Sequence, residues 1–375
     1  MSTKLDRLTE LAKEEPKRQF FSIAHLITRE ALYAAFRSLR KEASAGVDGV
    51  TYQQYQEGAE GKIQELYQRL KDGKYQAQPL RRVYIPKENG KQRPISIPAL
   101  EDKIVQKAMV EVLNAIYEQD FLECSYGFRP GRGQHQVGVI DQGQLLMSDK
   151  GTGQGQTISP LLANIYLHHV LDEWFEDVVK PRLRGEAHEI RFADDAILCF
   201  HYREDAEKVK NVLSKRFAKY GLTLHPEKTR LLEFGRYAEE RAKRQGKKKP
   251  GTFDFLGLTH ICARSRRGKF TVHVRTMRKR LRRSLTAVAE WCQRHRHAPV
   301  DEQQKTLNAK LRGHYQYYGR PTNSQSLLKF YRGVVRIWRK CLNGRTRGNR
   351  MTWERYAELL RHHPLLPPRI RHGWM

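Results

Sequence analysis

The chain has 375 residues, a length that suggests roughly two to three domains with a sizeable core and excludes a collagen, a minimal disulfide scaffold and a single small module. Lysine and arginine number 70 against 41 aspartates and glutamates, a net charge of +29, while 39% hydrophobic and 10% aromatic residues keep the composition globular rather than disordered. The charge is localised: residues 1–240 hold 36 basic and 35 acidic side chains, and residues 241–375 hold 34 basic and 6 acidic.

Apolar residues at helical spacing predict helices over 26–41 and 61–72, separated by the Gly-rich turn AGVDGVT (45–51). LRRVYIPKENGKQRPISIP (80–98) sets β-branched residues on either side of Glu88-Asn89-Gly90, the pattern of a basic hairpin closed by Pro98. Residues 100–120 return to a helix. From 121 to 157 the periodicity loosens into the Gly- and Arg-rich SYGFRPGRGQHQ and a Gly/Gln loop. Ser159-Pro160 then opens an apolar helix running to 176, with proline in the first turn, where its missing N–H costs nothing. EIRFADDAILCF (189–200) flanks two adjacent carboxylates with apolar residues and suits a tight hairpin. Residues 204–221 form an amphipathic helix stopped by Gly221, and LTLHPEKTRLLEF (222–234) and FDFLGL (253–258) read as short strands. RYAEERAKRQGKKKPG (236–251) reads as a hydrophilic basic loop, followed by helices at 276–295, 301–313, 324–343 and 353–361. The order of strand, helix, hairpin, helix and strand predicts an α+β fold with a sheet layer of split βαβ type.

So lopsided a charge calls for a polyanionic partner, because clustered lysine and arginine repel one another until phosphates offset the cost. Nucleic acid leads. An anionic membrane surface is disfavoured: no run approaches the ~18 apolar residues that span a bilayer, and Met1 to Leu11 is charged without an apolar core. A soluble, cytoplasmic protein with no membrane partner is expected. Cys124, Cys199, Cys262, Cys292 and Cys341 are dispersed with no CxxC pair, so reduced thiols and no zinc knuckle are expected.

Phe192-Ala193-Asp194-Asp195 is the sharpest chemical feature. Two neighbouring carboxylates on a partly buried hairpin repel each other unless cations neutralise them, and Mg²⁺ favours a few carboxylates, water and substrate phosphate. Taken alone, the dipeptide is more often an exposed turn. Gly151-Thr152-Gly153-Gln154-Gly155-Gln156 could bring backbone N–H groups against a phosphate, although by itself such a loop is usually a plain turn, and it lacks the Gly-Lys-Ser/Thr ending of a Walker loop. Near the C-terminus, Arg312, His314, Tyr315, Tyr317 and Tyr318 interleave cations and aromatics, and Arg332, Arg336, Arg339 and Lys340 recur at helical spacing on one stripe. Phosphate contacts and base stacking are then available, against the blander reading of a packed aromatic core with a solvated arginine face.

The order of the motifs is more specific than any one of them. VYIPKENGKQRPISIPALEDKIVQKA, SYGFRPGRG, GTGQGQTISPLLANIYLHHVLDEWF, RFADD, HPEKT and FDFLGL, then KLRGHYQYYG, SLLKFYRGVVRIWRKCLNGR and MTWERY, resemble group II intron reverse transcriptase/maturases over nearly the whole chain. The resemblance implies a right-hand polymerase with fingers over 1–120, an abridged palm over 121–260, and a thumb with helical maturase domain over 261–375. It implies an RNA-directed DNA polymerase and intron maturase that extends a primer on an RNA template with deoxynucleotides. Asp194 and Asp195 would ligate catalytic Mg²⁺, and Gln154 and Gly155 would line the incoming nucleotide. Arg93 and Lys87 would reach its triphosphate, a role that suits arginine's bidentate fork, and Lys228 would lie near the leaving pyrophosphate. The C-terminal cations and aromatics would bind group II intron RNA for splicing and mobility.

The chain departs from the family in two ways. Gly153 stands where the family writes proline and Gln156 where it usually has a small residue. More consequentially, only 20 residues lie between Pro130 and Gly151, where the family has several dozen, including the first palm strand and an aspartate that bridges two metal ions. Either Asp141 or Asp149 moves in, or a second copy of the chain in a homodimer brings a carboxylate, or polymerisation is lost. The alternative function is therefore a catalytically inactive, RNA-binding maturase remnant.

Overall fold

In the computed structural model of the chain the described residues are 2–16, 18–86, 92–132, 156–265, 267–345 and 351–372. They divide into two compact units, the first running to Pro226 and the second starting at Glu227.

The first unit opens with four helices, α1 (Ser2–Glu14), α2 (Arg29–Ser38), α3 (Tyr52–Gln56) and α4 (Ala59–Lys71). Thr28 caps α2 by accepting from the Ala31 N–H, and Thr51 with Gln54 closes a capping box on α3, so orphan donors at both helix starts are satisfied by the chain itself. β1 (Arg81–Pro86) and β2 (Gln92–Ile97) pair antiparallel, as the sequence pattern predicts; Glu88-Asn89-Gly90 lies outside the described residues. α5 (Leu100–Asp120) spans the 100–120 segment and packs Leu100, Ile104, Val105 and Ala108 against α2 to α4, and Val112 and Ile116 against Leu8 and Ala12 of α1. Its apolar residues run round the helix because it is covered on several sides.

After Ser159-Pro160, α6 (Ser159–Leu167) continues into wide π-helical turns at His168–Asp172 and Trp174–Val179. β3 (Ala187–Phe192) and β4 (Asp195–Phe200) form the expected hairpin, and α7 (Arg203–Lys219) follows. Leu171, Trp174, Phe175, Val179, Ala187, Val209 and Leu213 make a third core between helices and hairpin. Gly221, at φ +69°, ends this stretch in the left-handed conformation that glycine tolerates.

In the second unit α8 (Ala238–Arg244) replaces the loop expected over 236–251. Ala238 and Ala242, four residues apart, are buried and give the short helix an apolar edge that composition hides. β5 (Thr252–Phe255), β6 (Leu258–Arg264) and β7 (Phe270–Thr276) form an antiparallel three-stranded sheet. The expected strand at 222–234 is absent, and β7 was not anticipated. Instead of one split βαβ layer, the described residues hold three separate antiparallel sheets, β1-β2, β3-β4 and β5-β6-β7. The fold is mixed helix and strand, as predicted at that coarser level.

α9 (Arg278–Arg294), α10 (Val300–Tyr318), α11 (Ser324–Asn343) and α12 (Trp353–His362) follow the predicted helices closely. Their core gathers Val288, Leu307, Leu311, Phe330, Val334, Trp338 and Tyr356. Gln303, fully buried, accepts from the Trp338 indole N–H at 2.8 Å and donates to the His295 carbonyl at 2.7 Å. A β-carbon at Gly333 would fall 2.5 Å from Leu285 Cδ2, so α11 meets the Leu285 side chain of α9 where glycine leaves room. Among the described residues no helix is long and apolar enough to cross a membrane.

Candidate active site

Phe192 pairs with Asp195 as the last rung of the β3-β4 hairpin, so Ala193 and Asp194 alone make the turn. Ala193 has φ +54°, a conformation that costs an L-residue roughly 1–2 kcal/mol. The surroundings hold it there. Arg191 donates to the Ala193 carbonyl at 3.0 Å, and the Gly127 backbone lies so close that a β-carbon at 127 would be 2.4 Å from the Ala193 nitrogen. Asn164 of α6 donates to the Gly127 carbonyl and so fixes that approach.

Beneath the turn Arg191 is the hub. On β3 the residues Ala187, Glu189 and Arg191 alternate inward, which places a guanidinium in the core. It donates to Asp172 through Nε at 2.6 Å and Nη2 at 2.5 Å, to Asn164 Oδ1 at 3.0 Å and to Ser125 Oγ at 2.8 Å. Arg191 and Asp172 are both fully buried. The backbone adds two more ties, Arg191 N–H to the Cys124 carbonyl at 2.8 Å and Tyr126 N–H to the Arg191 carbonyl at 2.9 Å, so the start of SYGFRPGRG lies along β3. Helix, loop and hairpin are thus locked through one side chain.

The electrostatics follow from that lock. Burial raises the Asp172 carboxyl, but the His168 imidazole and the Arg191 guanidinium more than offset this and hold it below the usual range. Glu189 is 5% exposed, and burial, with the Asp172 charge beside it, pushes its carboxyl up to about 8. It is a neutral acid at pH 7. Cys124, Asp172 and Glu189 bring ligand-type atoms within 4.8 Å of one another, yet Asp172 is already neutralised by Arg191, which makes a cation there unfavourable.

Asp194 and Asp195 stand side by side and half-buried at the hairpin tip, where the sequence placed them. Among the described residues no third carboxylate, histidine or cysteine joins them in a ligand cluster. Two carboxylates with water and phosphate oxygens fit one Mg²⁺; they do not by themselves clamp two ions. Arg93 is on β2, half-buried and already engaged, and Lys228 is exposed at the head of the second unit. Lys87, Gln154, Gly155, Asp141 and Asp149 lie outside the described residues.

In the second unit the interleaved segment corrects the expectation of stacking aromatics. His314, Tyr315 and Tyr318 are buried core residues. His314 stacks on Phe330 with ring centroids 3.6 Å apart, and burial pushes its imidazole down to about 3; Tyr315 donates to the Leu366 carbonyl at 3.0 Å. The period of α10 turns these groups inward and leaves Arg312 exposed. Arg332, Arg336 and Lys340 are exposed at intervals of four on α11, while Arg339 leans over the Trp353 ring at 4.1 Å. Sequence reasoning missed Arg191, Asp172, Asn164 and Gly127. The readable signal was a lone charge at an inward strand position and another inside an apolar helix.

Residues 139–260 match the family model described as reverse transcriptase (RNA-dependent DNA polymerase). The chain is 26% identical over 302 residues to the group II intron-encoded protein LtrA of Lactococcus lactis subsp. cremoris, covering 63% of this chain and 50% of that protein. It is 40% identical over 156 residues to protein YkfC of Escherichia coli, 40% of each chain. It is 25% identical over 303 residues to an uncharacterized 91 kDa protein in the cob intron of Schizosaccharomyces pombe, covering 63% of this chain and 37% of that one. The chain spans about half the length of the first of these relatives, and less of the others. Residues 139–260 thus match the reverse transcriptase model, and the chain as a whole is similar to the group II intron-encoded protein LtrA and to the cob intron protein.

Proposed function

We propose that the chain works as a group II intron reverse transcriptase and maturase, binding intron RNA through its basic C-terminal helices and extending a DNA primer on an RNA template at the β3-β4 turn. The observation that carries this is the Asp194-Asp195 tip, held in a strained two-residue turn by the buried Arg191 network. Strain kept in place by so many contacts is the mark of a functional turn rather than a casual one. In this reading Asp194 and Asp195 would hold Mg²⁺, which when bound would neutralise deoxynucleotide phosphates; Gln154 and Gly155 would line the nucleotide, and Arg93, Lys87 and Lys228 would meet its phosphates. Fingers, abridged palm and thumb with maturase helices would divide the chain near 120 and 260. Arg312, Arg332, Arg336 and Lys340 would contact RNA phosphates. His314, Tyr315 and Tyr318 would shape that surface from within, and Arg339 would brace it against Trp353.

A second reading, RNA binding without synthesis, is favoured by a specific observation. The stretch aligned with LtrA is 302 residues long but takes up 63% of 375, or about 236, of this chain, leaving about 66 aligned positions without a residue here. That supports an internal deletion in the segment before the GTGQGQ loop, where the sequence runs short, and no third carboxylate replaces the loss among the described residues.

Primer extension on poly(rA)/oligo(dT) decides between the two. Mg²⁺-dependent incorporation that Asp194→Ala abolishes supports synthesis. Intact RNA binding with no incorporation by the wild type establishes the second reading.

A further inference from the structure

The second unit holds a cationic cavity that the proposed function leaves unused. Its volume is about 320 Å³, the size of a small ligand site. Arg236, Arg264, Arg267 and Lys269 line it together with Glu239 and Phe270. The walls are built rather than accidental. Gly235 N–H donates to Cys262 Sγ at 3.4 Å, which ties the start of one wall to β6. The turn from β6 to β7 is closed by Gly268 N–H to the Ser265 carbonyl at 2.9 Å and Ser265 N–H to the Lys269 carbonyl at 2.7 Å, with Gly268 at φ +74°. Arg267, Gly268 and Lys269 all lie on the cavity's lining.

Its charge is unbalanced. The one lining carboxylate, Glu239, is shared by Arg264 at 3.3 Å and Lys243 at 3.2 Å, and Arg264 also meets Glu240 at 3.6 Å. Arg236, Arg267 and Lys269 are exposed and, among the described residues, meet no carboxylate at ion-pair distance. Three unanswered cations around a concavity repel one another, and a bound phosphate removes that cost while gaining charge-assisted hydrogen bonds.

We propose that this cavity is a phosphodiester site for one strand of RNA, taking a backbone phosphate against Arg236, Arg267 and Lys269, with the Phe270 ring offering an apolar face to the attached sugar or base. It rests on the reading that the chain binds RNA and adds a contact separate from the α11 stripe. The same chemistry would take free phosphate or a nucleoside triphosphate, so the test must separate those sources.

The test is filter binding of the full chain to a 30-nucleotide RNA across a salt series, for wild type, Arg236→Ala/Arg267→Ala/Lys269→Ala, and Arg332→Ala/Arg336→Ala/Lys340→Ala. The cavity variant is expected to bind about tenfold or more weakly at low salt, with a log–log salt slope shallower by about 0.7, the value for one single-strand phosphate contact. Millimolar inorganic phosphate or ATP should not displace the RNA. Arg236→Lys/Arg267→Lys should keep most of the affinity, and an unchanged thermal transition checks the fold. If the triple variant unfolds, Arg267→Ala and Lys269→Ala alone are expected each to weaken binding at low salt by about twofold or more. Wild-type binding retained by the cavity variants but weakened by the stripe variant overturns the cavity site and leaves the RNA-binding reading standing. Displacement by phosphate or ATP assigns the cavity to a free anion and overturns the proposal. No RNA binding by the wild type overturns both.

Discussion

Glu189 illustrates how one side chain couples the candidate site to pH. Its carboxyl, raised to about 8 against an ordinary 4.5, keeps its proton in the fold while the unfolded chain loses it, so the folded state binds the extra proton between those values and stability falls as pH rises through that window. Asp172 acts with the opposite sign at low pH: held below its ordinary 3.8, it contributes stability that is lost as pH falls through its folded value. His260 and His314, pushed to about 4 and about 3 by burial, destabilise the fold only as pH falls below about 6.5. The interval from pH 6.5 to 7.5, below the onset of thiol ionisation in the unfolded chain, therefore isolates Glu189. Urea midpoints are expected to fall across it by the equivalent of about 1 kcal/mol in the wild type, and Glu189→Gln is expected to remove most of that fall. An equal fall in both proteins would show that Glu189 ionises normally.

At the level of elements, the hairpin and the helix beneath it are one mechanical object. The β3-β4 pair has only two strands, and such a hairpin is marginal alone; the Arg191-Asp172 pair, with Asn164 and Ser125, pins it to the π-helical turns after α6 and to the 124–127 loop. Replacing the whole pair by well-packed apolar residues could be close to neutral, but removing one partner leaves the other as a buried, unanswered charge. Asp172→Ala is thus expected to cost roughly 3–5 kcal/mol in a denaturant titration, and a loss under 1 kcal/mol would contradict the burial argued here. The hairpin itself was legible, because apolar flanks around Phe192-Ala193-Asp194-Asp195 specify strands and a tight turn. Its support was not, since nothing local in LHHVLDEWF says that Asp172 of this segment faces an arginine 19 residues later.

Across the whole molecule, the division of charge and the division of the fold nearly coincide. The second unit begins at Glu227, close to the point after which 34 basic residues stand against 6 acidic ones. Phosphate contacts made by such a surface release counterions, so RNA affinity is expected to fall steeply with salt. Arg332→Ala/Arg336→Ala/Lys340→Ala should flatten the log–log slope by about 2, whereas Tyr315→Phe, which alters only a buried hydroxyl, should leave it unchanged. A flat salt response in the wild type would remove the electrostatic basis for RNA binding.

Taken by itself, the sequence determined the helices read over 26–41, 61–72, 100–120, 276–295, 301–313, 324–343 and 353–361, the two hairpins carrying Arg93 and Asp194, and the concentration of positive charge toward the C-terminus. Those follow from periodicity, turn chemistry and charge, which act between residues near in the chain or in bulk composition. Only the tertiary structure decided that His314, Tyr315 and Tyr318 are core rather than contact, that α8 forms where a loop was expected, and that Arg191, Asp172 and Glu189 meet under the carboxylate turn. Each of those depends on which groups lose water together when distant segments pack, and desolvation of a charge is a property of the assembled interior, not of the residue that carries it.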